Sequence, residues 1–489
     1  HVYAIQESNS INRAHLKYFG AGLDDIEKNA AKMQMEGLLD TLTDAKEYGS
    51  ILNVESYNWD LLRRFVGGID DEVQISLESA GVEETAEQLK QLVEQGEVMA
   101  QKYWVTVTNP PYAGMSKMNA KLNSFVQDNY ADYKSDMFSA FVVKCSTMTR
   151  TNGYCAFLTP YVWMFIQSYE KMRNYLYANT TIETLIQFEY SAFEEATVPI
   201  CTFAFRKGYI AKKGCYLRLT DFRGGMEVQR QKTLEAINNH NCGYYFEQYS
   251  DNFAKIPGSP VAYWVSEKFT NMYKQTSIAQ IATTREGMTT ADNDQFVRLW
   301  EEVNSEHIAF GCTTSFEAQK TNRRWFPYAK GGDFRKWYGN SWYVVDWQDD
   351  GWRIRNFKDE KTGRIRSHNY NLEYIFRECL SWTRVTSGNF CIRYYPKGYL
   401  CDTAGAGLFV EKDRMFLLGW LSTNIVNQML QIQNPTIVVQ AGDVARIPVP
   451  EKKNNKQDIE NLVEDNISIS KEDWDSFETS WDFKVHPLV

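Results

Sequence analysis

Val105-Thr106-Val107-Thr108-Asn109-Pro110-Pro111-Tyr112 decides how the rest of the chain is read. Four β-branched residues in a row favour extended backbone. The two prolines then fix φ near about −65° and remove two backbone donors, so the strand ends in a stiff turn. A carboxamide oxygen and a proline carbonyl on such a turn can together accept both N–H bonds of an exocyclic amine, such as N6 of adenine. Holding both protons draws the nitrogen lone pair out of ring conjugation and aims it at an electrophile. Tyr112 offers a flat face against which an extruded base can lie. No strong general base is needed, because the amine becomes acidic only after it has gained its substituent. The chemistry is positioning and electrostatics. A bare Pro-Pro turn closing a buried strand would use the same four residues, so the downstream sequence has to separate the two readings.

Gly114, Met118, Leu122, Phe125 and Tyr130 lead to Tyr133-Lys134-Ser135-Asp136-Met137-Phe138, followed by an amphipathic run over 138–148. Gly153-Tyr154-Cys155-Ala156-Phe157-Leu158-Thr159-Pro160 reads as a buried strand, led by glycine and stopped by proline. Turn, helix, strand and proline are the organisation expected of an α/β sheet beside such a corner.

With these residues in place, the chain resembles the γ-class adenine-N6 DNA methyltransferases, and within them the PglX-type methyltransferases of BREX phage-defence systems. The resemblance spans nearly the whole chain. It rests on Asn109-Pro110-Pro111-Tyr112-Ala113-Gly114, Lys134-Ser135-Asp136-Met137-Phe138, and Phe193-Glu194-Glu195-Ala196 leading into Val198-Pro199-Ile200-Cys201-Thr202. Two further segments are specific to the subfamily: Lys330-Gly331-Gly332-Asp333-Phe334-Arg335-Lys336-Trp337-Tyr338-Gly339-Asn340 and Asp473-Trp474-Asp475-Ser476-Phe477-Glu478-Thr479-Ser480-Trp481-Asp482-Phe483. The resemblance implies that Asn109 and the Pro110 carbonyl, on the turn stiffened by Pro111, hold the target amine while Tyr112 stacks on the flipped adenine. It places Phe193 on the other side of the base, although a phenylalanine is as readily a core residue. The implied fold class is α/β, a partial Rossmann-like methyltransferase domain followed by a mixed α+β target-recognition domain.

The family opens its catalytic domain with a strand and a glycine-rich loop for S-adenosylmethionine, and nothing before Asn109 fits that pattern. Phe19-Gly20-Ala21-Gly22 has the wrong glycine spacing and follows a polar stretch. It reads instead as a turn before a helix starting near Leu23, with Asp24, Asp25 and Glu27 suited to the first turn. With His1 in place of an initiating Met, the expectation is an internal fragment of a longer enzyme. Such a fragment would hold the base-binding half of the site, with the cofactor-binding residues unknown and S-adenosylmethionine bound weakly or not at all.

The 489 residues suffice for two or more packed domains. No run of about 18 apolar residues suggests a membrane span, and no secretory leader is expected. Nine cysteines without a Cys-x-x-Cys pair point to reduced thiols in a cytoplasm, and six scattered histidines give no metal-binding pattern. The net charge of −9 is unhelpful for binding DNA, yet a local basic surface is what DNA requires. Residues 320–366 supply one: twelve Lys and Arg face six Asp and Glu, a net +6 that leaves −15 for the remainder. Here Arg323, Arg324, Arg335 and Lys336 alternate with aromatic residues. Residues 342–347 and 352–357 read as strands of a hairpin turning at Gln348-Asp349-Asp350-Gly351, which would put Arg353 and Arg355 on one face. These six cations are the candidate contacts to double-stranded DNA.

The reading divides the chain into a catalytic part over 1–225, a linker over 226–250, a target-recognition domain over 251–450 and a linker over 451–489. Helices are expected over 23–48, 83–103 and 415–429, and Gly405-Ala406-Gly407 reads as a tight turn. Other BREX components are possible partners. Three alternatives stay open: a combined restriction-modification enzyme, a cytosine-N4 methyltransferase, and a fragment that binds DNA without catalysis. For a nuclease centre, Asp359-Glu360-Lys361 lies in a polar loop with no upstream aspartate on a strand.

Overall fold

The strand that ends at the Pro-Pro corner, β1 (Tyr103–Thr108), is the edge of a six-stranded sheet. The computed structural model describes residues 1–69, 80–190, 192, 198–386, 388–434, 436–451 and 455–486. The sheet continues with β2 (Thr149–Pro160), β3 (Thr180–Gln187), β4 (Ile200–Lys207), β5 (Gly214–Arg218) and β6 (Tyr245–Gln248), in the order β1-β2-β4-β3-β5-β6. β1 and β2 are parallel, with Val107 opposite Ala156 and Thr108 opposite Phe157. β4 is antiparallel to both β2 and β3, β5 is parallel to β3, and β6 is antiparallel to β5. The carboxyl ends of β1, β2, β3 and β5 therefore share one edge of the sheet. Such an edge is where open α/β sheets bind ligands.

The helices Met137–Met148 and Glu170–Asn179 connect β1 to β2 and β2 to β3. Phe157 on β2 stacks on Phe203 of β4 at a ring distance of 5.2 Å, one of several aromatic contacts that fix the strand register. Among the described residues β1 pairs only with β2, and Trp104, Val105 and Val107 are exposed.

Ahead of β1 the helices Asp25–Thr41, Trp59–Gly67 and Val82–Ala100 bury a common cluster that includes Met35, Leu38, Phe65, Leu89 and Leu92. The apolar stripe expected over 83–103 thus serves packing, and the element ends at Ala100 so that β1 can begin. Asp24 caps the first helix by accepting from the Glu27 N–H at 2.8 Å. Gly20 and Gly22 take positive φ of 88° and 82°, and the Gly20 N–H is spent on the carbonyls of Phe65 and Gly68.

Residue contacts separate two units, His1–Met164 with Ser168–Asp251, and Phe165–Gln167 with Asn252–Val489. The stretch read as a linker over 226–250 is folded into the first unit. It forms the helix Gly225–Asn238 and then β6, which hydrogen-bonds to β5.

The second unit contains two four-stranded sheets. One runs β13-β9-β10-β8 and the other β12-β11-β14-β7. Their strands are β7 (Thr283–Arg285), β8 (Val297–Leu299), β9 (Trp325–Ala329), β10 (Tyr343–Asp346), β11 (Cys379–Thr383), β12 (Ile392–Tyr395), β13 (Leu400–Cys401) and β14 (Gly405–Phe409).

Four expectations are corrected here. The hairpin is absent, because residues 352–355 lie in the helical segment Gln348–Arg355 and β10 pairs with β8 and β9 instead. Asp349, Asp350 and Gly351 all take left-handed conformations (φ 51°, 58° and 69°), which turn the chain away from the sheet rather than back along it. Gly351 is required there, since a Cβ would sit 2.5 Å from the Trp347 ring. Gly405-Ala406-Gly407 is not a turn but the start of β14, opposite Thr383, Trp382 and Ser381. A Cβ at Gly405 would lie 2.4 Å from the Ala329 carbonyl, so glycine permits a close backbone approach. The helix over 415–429 is two, Arg414–Leu421 and Asn424–Gln433, separated at Ser422 and restarted by Thr423 as N-cap; Ile425 faces solvent. Finally, the terminal stretch read as a linker forms the 20-residue helix Lys456–Asp475. This helix packs on Arg414–Leu421 and buries Val463 and Trp474. The two subfamily-specific segments meet here, with the Arg335 guanidinium 5.0 Å from the Trp474 ring centroid and ion-paired to Asp473.

Candidate active site

β1 delivers Asn109 and Pro111 to the surface at the carboxyl edge of the sheet, while Pro110 is buried and Tyr112 half-buried. The Tyr112 hydroxyl donates to the Asn109 Oδ1 at 2.7 Å and lies 3.1 Å from the Leu158 carbonyl at the end of β2. This contact fixes the carboxamide plane and still leaves Oδ1 a second lone pair for an incoming donor. Burial raises the Tyr112 phenol above its ordinary range, so the ring stays a hydrogen-bond donor. The Tyr112 ring meets Phe138 edge-on, with centroids 6.5 Å apart, and Phe138 stacks on Tyr169.

Sequence reasoning gave Asp136 no role of its own, yet it ties the corner to the next helix. Its Oδ1 accepts from the Ala113 N–H at 3.0 Å and from the Phe138 N–H at 3.2 Å, and the Met137 N–H returns to the Ala113 carbonyl. One carboxylate therefore caps the helix Met137–Met148 and anchors the residue after Tyr112. The signal was present as an Asp directly before an apolar helical run, which is an N-cap pattern. Burial raises the Asp136 carboxyl above its ordinary range, opposed by the backbone N–H groups of Phe138, Ala113 and Met137.

Past the end of β3, Glu189, Tyr190, Arg223, Gly224 and Gly225 line a cavity of about 400 Å³. Three strand positions separate β1 from β3, or about 14 Å along the sheet edge. Phe193 lies outside the described residues.

The candidate DNA contacts fall into two groups. Arg335 is held by Asp473 and the Tyr338 carbonyl, and Lys336 donates to the Ser422 carbonyl at 2.7 Å, so both serve internal packing. Arg324 and Arg353 both reach Asp346, Arg355 pairs with Asp350, and Arg323 donates to the Ile308 carbonyl. Arg353 and Arg355 do not share a strand face, since their segment is helical.

The fit of the chain to S-adenosylmethionine can be tested on the same structure. The Gly20–Gly22 turn leads into a helix already capped by Asp24, and its Gly20 N–H is internally bonded, so it does not fit the cofactor loop. Among the described residues no cluster of three His, Cys, Asp or Glu is arranged to hold a metal, and no helix is long and apolar enough to cross a membrane.

Residues 17–193 match the family model described as Eco57I restriction-modification methylase. The chain is 38% identical over 458 residues to the adenine-specific methyltransferase PglX of Lacticaseibacillus casei, covering 91% of this chain and 37% of that protein. It is 31% identical over 484 residues to the adenine-specific methyltransferase BrxX of Escherichia coli O9:H4, covering 96% of this chain and 37% of that protein. The chain thus spans well under half the length of these curated relatives. Among solved structures it is similar to the Type IIL restriction-modification enzyme MmeI in complex with DNA, at 12% identity and a TM-score of 0.49, covering 95% of this chain and 66% of that one.

Proposed function

The chain belongs with the PglX-type adenine-specific methyltransferases, and on that premise we propose that the protein methylates N6 of adenine at a specific site in double-stranded DNA, within a phage-defence system of the BREX kind. The observation that carries this reading is the exposed Asn109 carboxamide, oriented by Tyr112 at the carboxyl end of β1. In this reading the base leaves the duplex, its amine donates to Asn109 Oδ1 and the Pro110 carbonyl, and Tyr112 and Phe193 wall the pocket. Asp136 holds the corner still while this happens. S-adenosylmethionine would supply the methyl group. The protein works in a reducing cytoplasm, in keeping with nine unpaired cysteines.

Mapping methylated adenines in genomes with and without the full-length gene tests the activity. One short motif should lose N6-methylation in the strain without the gene, and unchanged adenine methylation would end the proposal. Residues 1–489 are also expected to bind S-adenosylmethionine weakly or not at all, because the described glycine turn near the amino terminus does not fit it. Calorimetry of this chain showing micromolar affinity would overturn that expectation and place the cofactor site within these residues.

A further inference from the structure

At one end of the sheet β13-β9-β10-β8, two guanidiniums meet at a single buried carboxylate. The register sets Asp346 opposite Trp325 and Val345 opposite Val297, which brings the ends of β8, β9 and β10 together. The Asp346 side chain is 1% exposed, and its Oδ2 accepts from Arg324 Nε at 3.0 Å and from Arg353 Nη1 at 2.5 Å. Both arginines remain 42% exposed. The Arg324 and Arg298 guanidiniums lie 5.0 and 6.0 Å from the Trp325 ring centroid, and that of Arg353 lies 5.7 Å from the Phe296 ring. Arg353 reaches Asp346 by way of the left-handed turn at Asp349, Asp350 and Gly351, which also leaves Trp352 64% exposed beside it.

We propose that Asp346 is a positioning residue that presents Arg324 and Arg353 as a fixed pair to a phosphate of the DNA backbone. The proposal rests on the reading of this protein as DNA-binding. Neither arginine makes the two-pronged contact with Asp346 that gives a strong internal ion pair. Each gives it one N–H, and Asp346 Oδ1, although buried, has no hydrogen-bond partner among the described residues. The carboxylate holds each guanidinium by one corner, and the remaining N–H donors of both forks stay available. Their planes are braced by aromatic rings, so little side-chain freedom is lost when an anion arrives. Asp350 is engaged with Arg355, which leaves Arg324 and Arg353 with Asp346 at a net +1, with Asp349 as the nearest exposed acid in sequence. A phosphodiester has two unbridged oxygens and one negative charge, which suits two adjacent forks.

The test is duplex affinity measured by fluorescence anisotropy over a range of salt concentrations, using the chain as it stands. Each phosphate contact contributes about 0.9 to the slope of log affinity against log salt. Arg324→Gln and Arg353→Gln should each flatten the slope measurably, by no more than about 0.9, because the two arginines share one phosphate. Asp346→Asn should flatten it by up to that same amount, the whole contribution of the shared phosphate, although no cation is removed and the net charge rises by one. A carboxylate with only an electrostatic or structural role predicts the reverse, with tighter binding and an equal or steeper slope, and that result overturns the proposal. If Asp346→Asn does not fold, the two arginine variants decide, and unchanged slopes in both overturn it. Unchanged slopes with wild-type binding intact would leave DNA binding to another surface. A wild-type chain that binds no duplex at low salt would remove the DNA-binding reading itself, and the proposal with it.

Discussion

Replacing Asn109 by Ala in a protein of the relatives' full length is expected to lower methyl transfer on the order of 10²–10³-fold, the usual consequence of deleting one preorganised polar contact at a reacting centre. DNA affinity should change little, because Asn109 is a single exposed side chain on the turn after β1. Fold stability should also hold. The Tyr112 hydroxyl loses one acceptor but keeps the Leu158 carbonyl at 3.1 Å, and an exposed substitution of this kind is worth less than about 1 kcal/mol. Single-turnover methylation with duplex binding measured in parallel checks the claim. Turnover near the wild-type level would remove Asn109 from the site, whereas equal loss of binding and turnover would make it a DNA contact.

Asp136→Ala should damage the same site from behind. The substitution removes the acceptor shared by the Ala113 and Phe138 N–H groups, so the helix Met137–Met148 loses its cap and the residue after Tyr112 loses its tether. Loss of the cap alone costs about 1–2 kcal/mol. The larger effect falls on rate, since a corner displaced by even about 1 Å can cost around 10²-fold in a reaction that depends on placement. Asp136→Asn keeps an acceptor oxygen and should recover most of the activity. The two proteins should also differ with pH in a defined sense. Burial raises the Asp136 pKa above its unfolded value, so its contribution is fully present below the unfolded pKa and is lost as pH rises through the folded one. Starting from about pH 4, wild type should lose stability relative to Asp136→Asn as the carboxyl ionises, and the difference should level off above that transition. Denaturation curves from pH 3 to 7 would show it (about that span, set by the ordinary carboxylate pKa). A difference that does not vary with pH would mean that the carboxyl is not held out of solvent.

The basic stretch over 320–366 shows what counting residues leaves out. Charge counting located a cation-rich stretch, but composition does not say which cations are already engaged. Arg335 and Lys336 turned out to brace the contact with the helix Lys456–Asp475 and the Ser422 carbonyl. The alternation of apolar and polar residues over 352–357 looked like a strand, but three consecutive left-handed residues send it into a helical segment. A turn dipeptide is a local preference, and the Trp347 ring packed on Gly351 outweighs it. The terminal stretch was misread for a related reason, because its charged surface hides the few residues, Val463 and Trp474, that attach it to the second unit.

What the sequence determined by itself was the strand and corner at 103–112, because proline chemistry and β-branched runs act through the backbone within a few residues. The helical character over 23–48, 83–103 and 138–148 was legible for the same reason, its periodicity and caps being local, whereas the helices Trp59–Gly67 and Glu170–Asn179 were not read from the sequence. Tertiary structure alone decided that Tyr112 orients Asn109, that Asp136 ties the corner to its helix, and that Asp346 gathers two arginines from separate segments. Each of those depends on side chains brought together by strand register and packing, which no short window of sequence encodes.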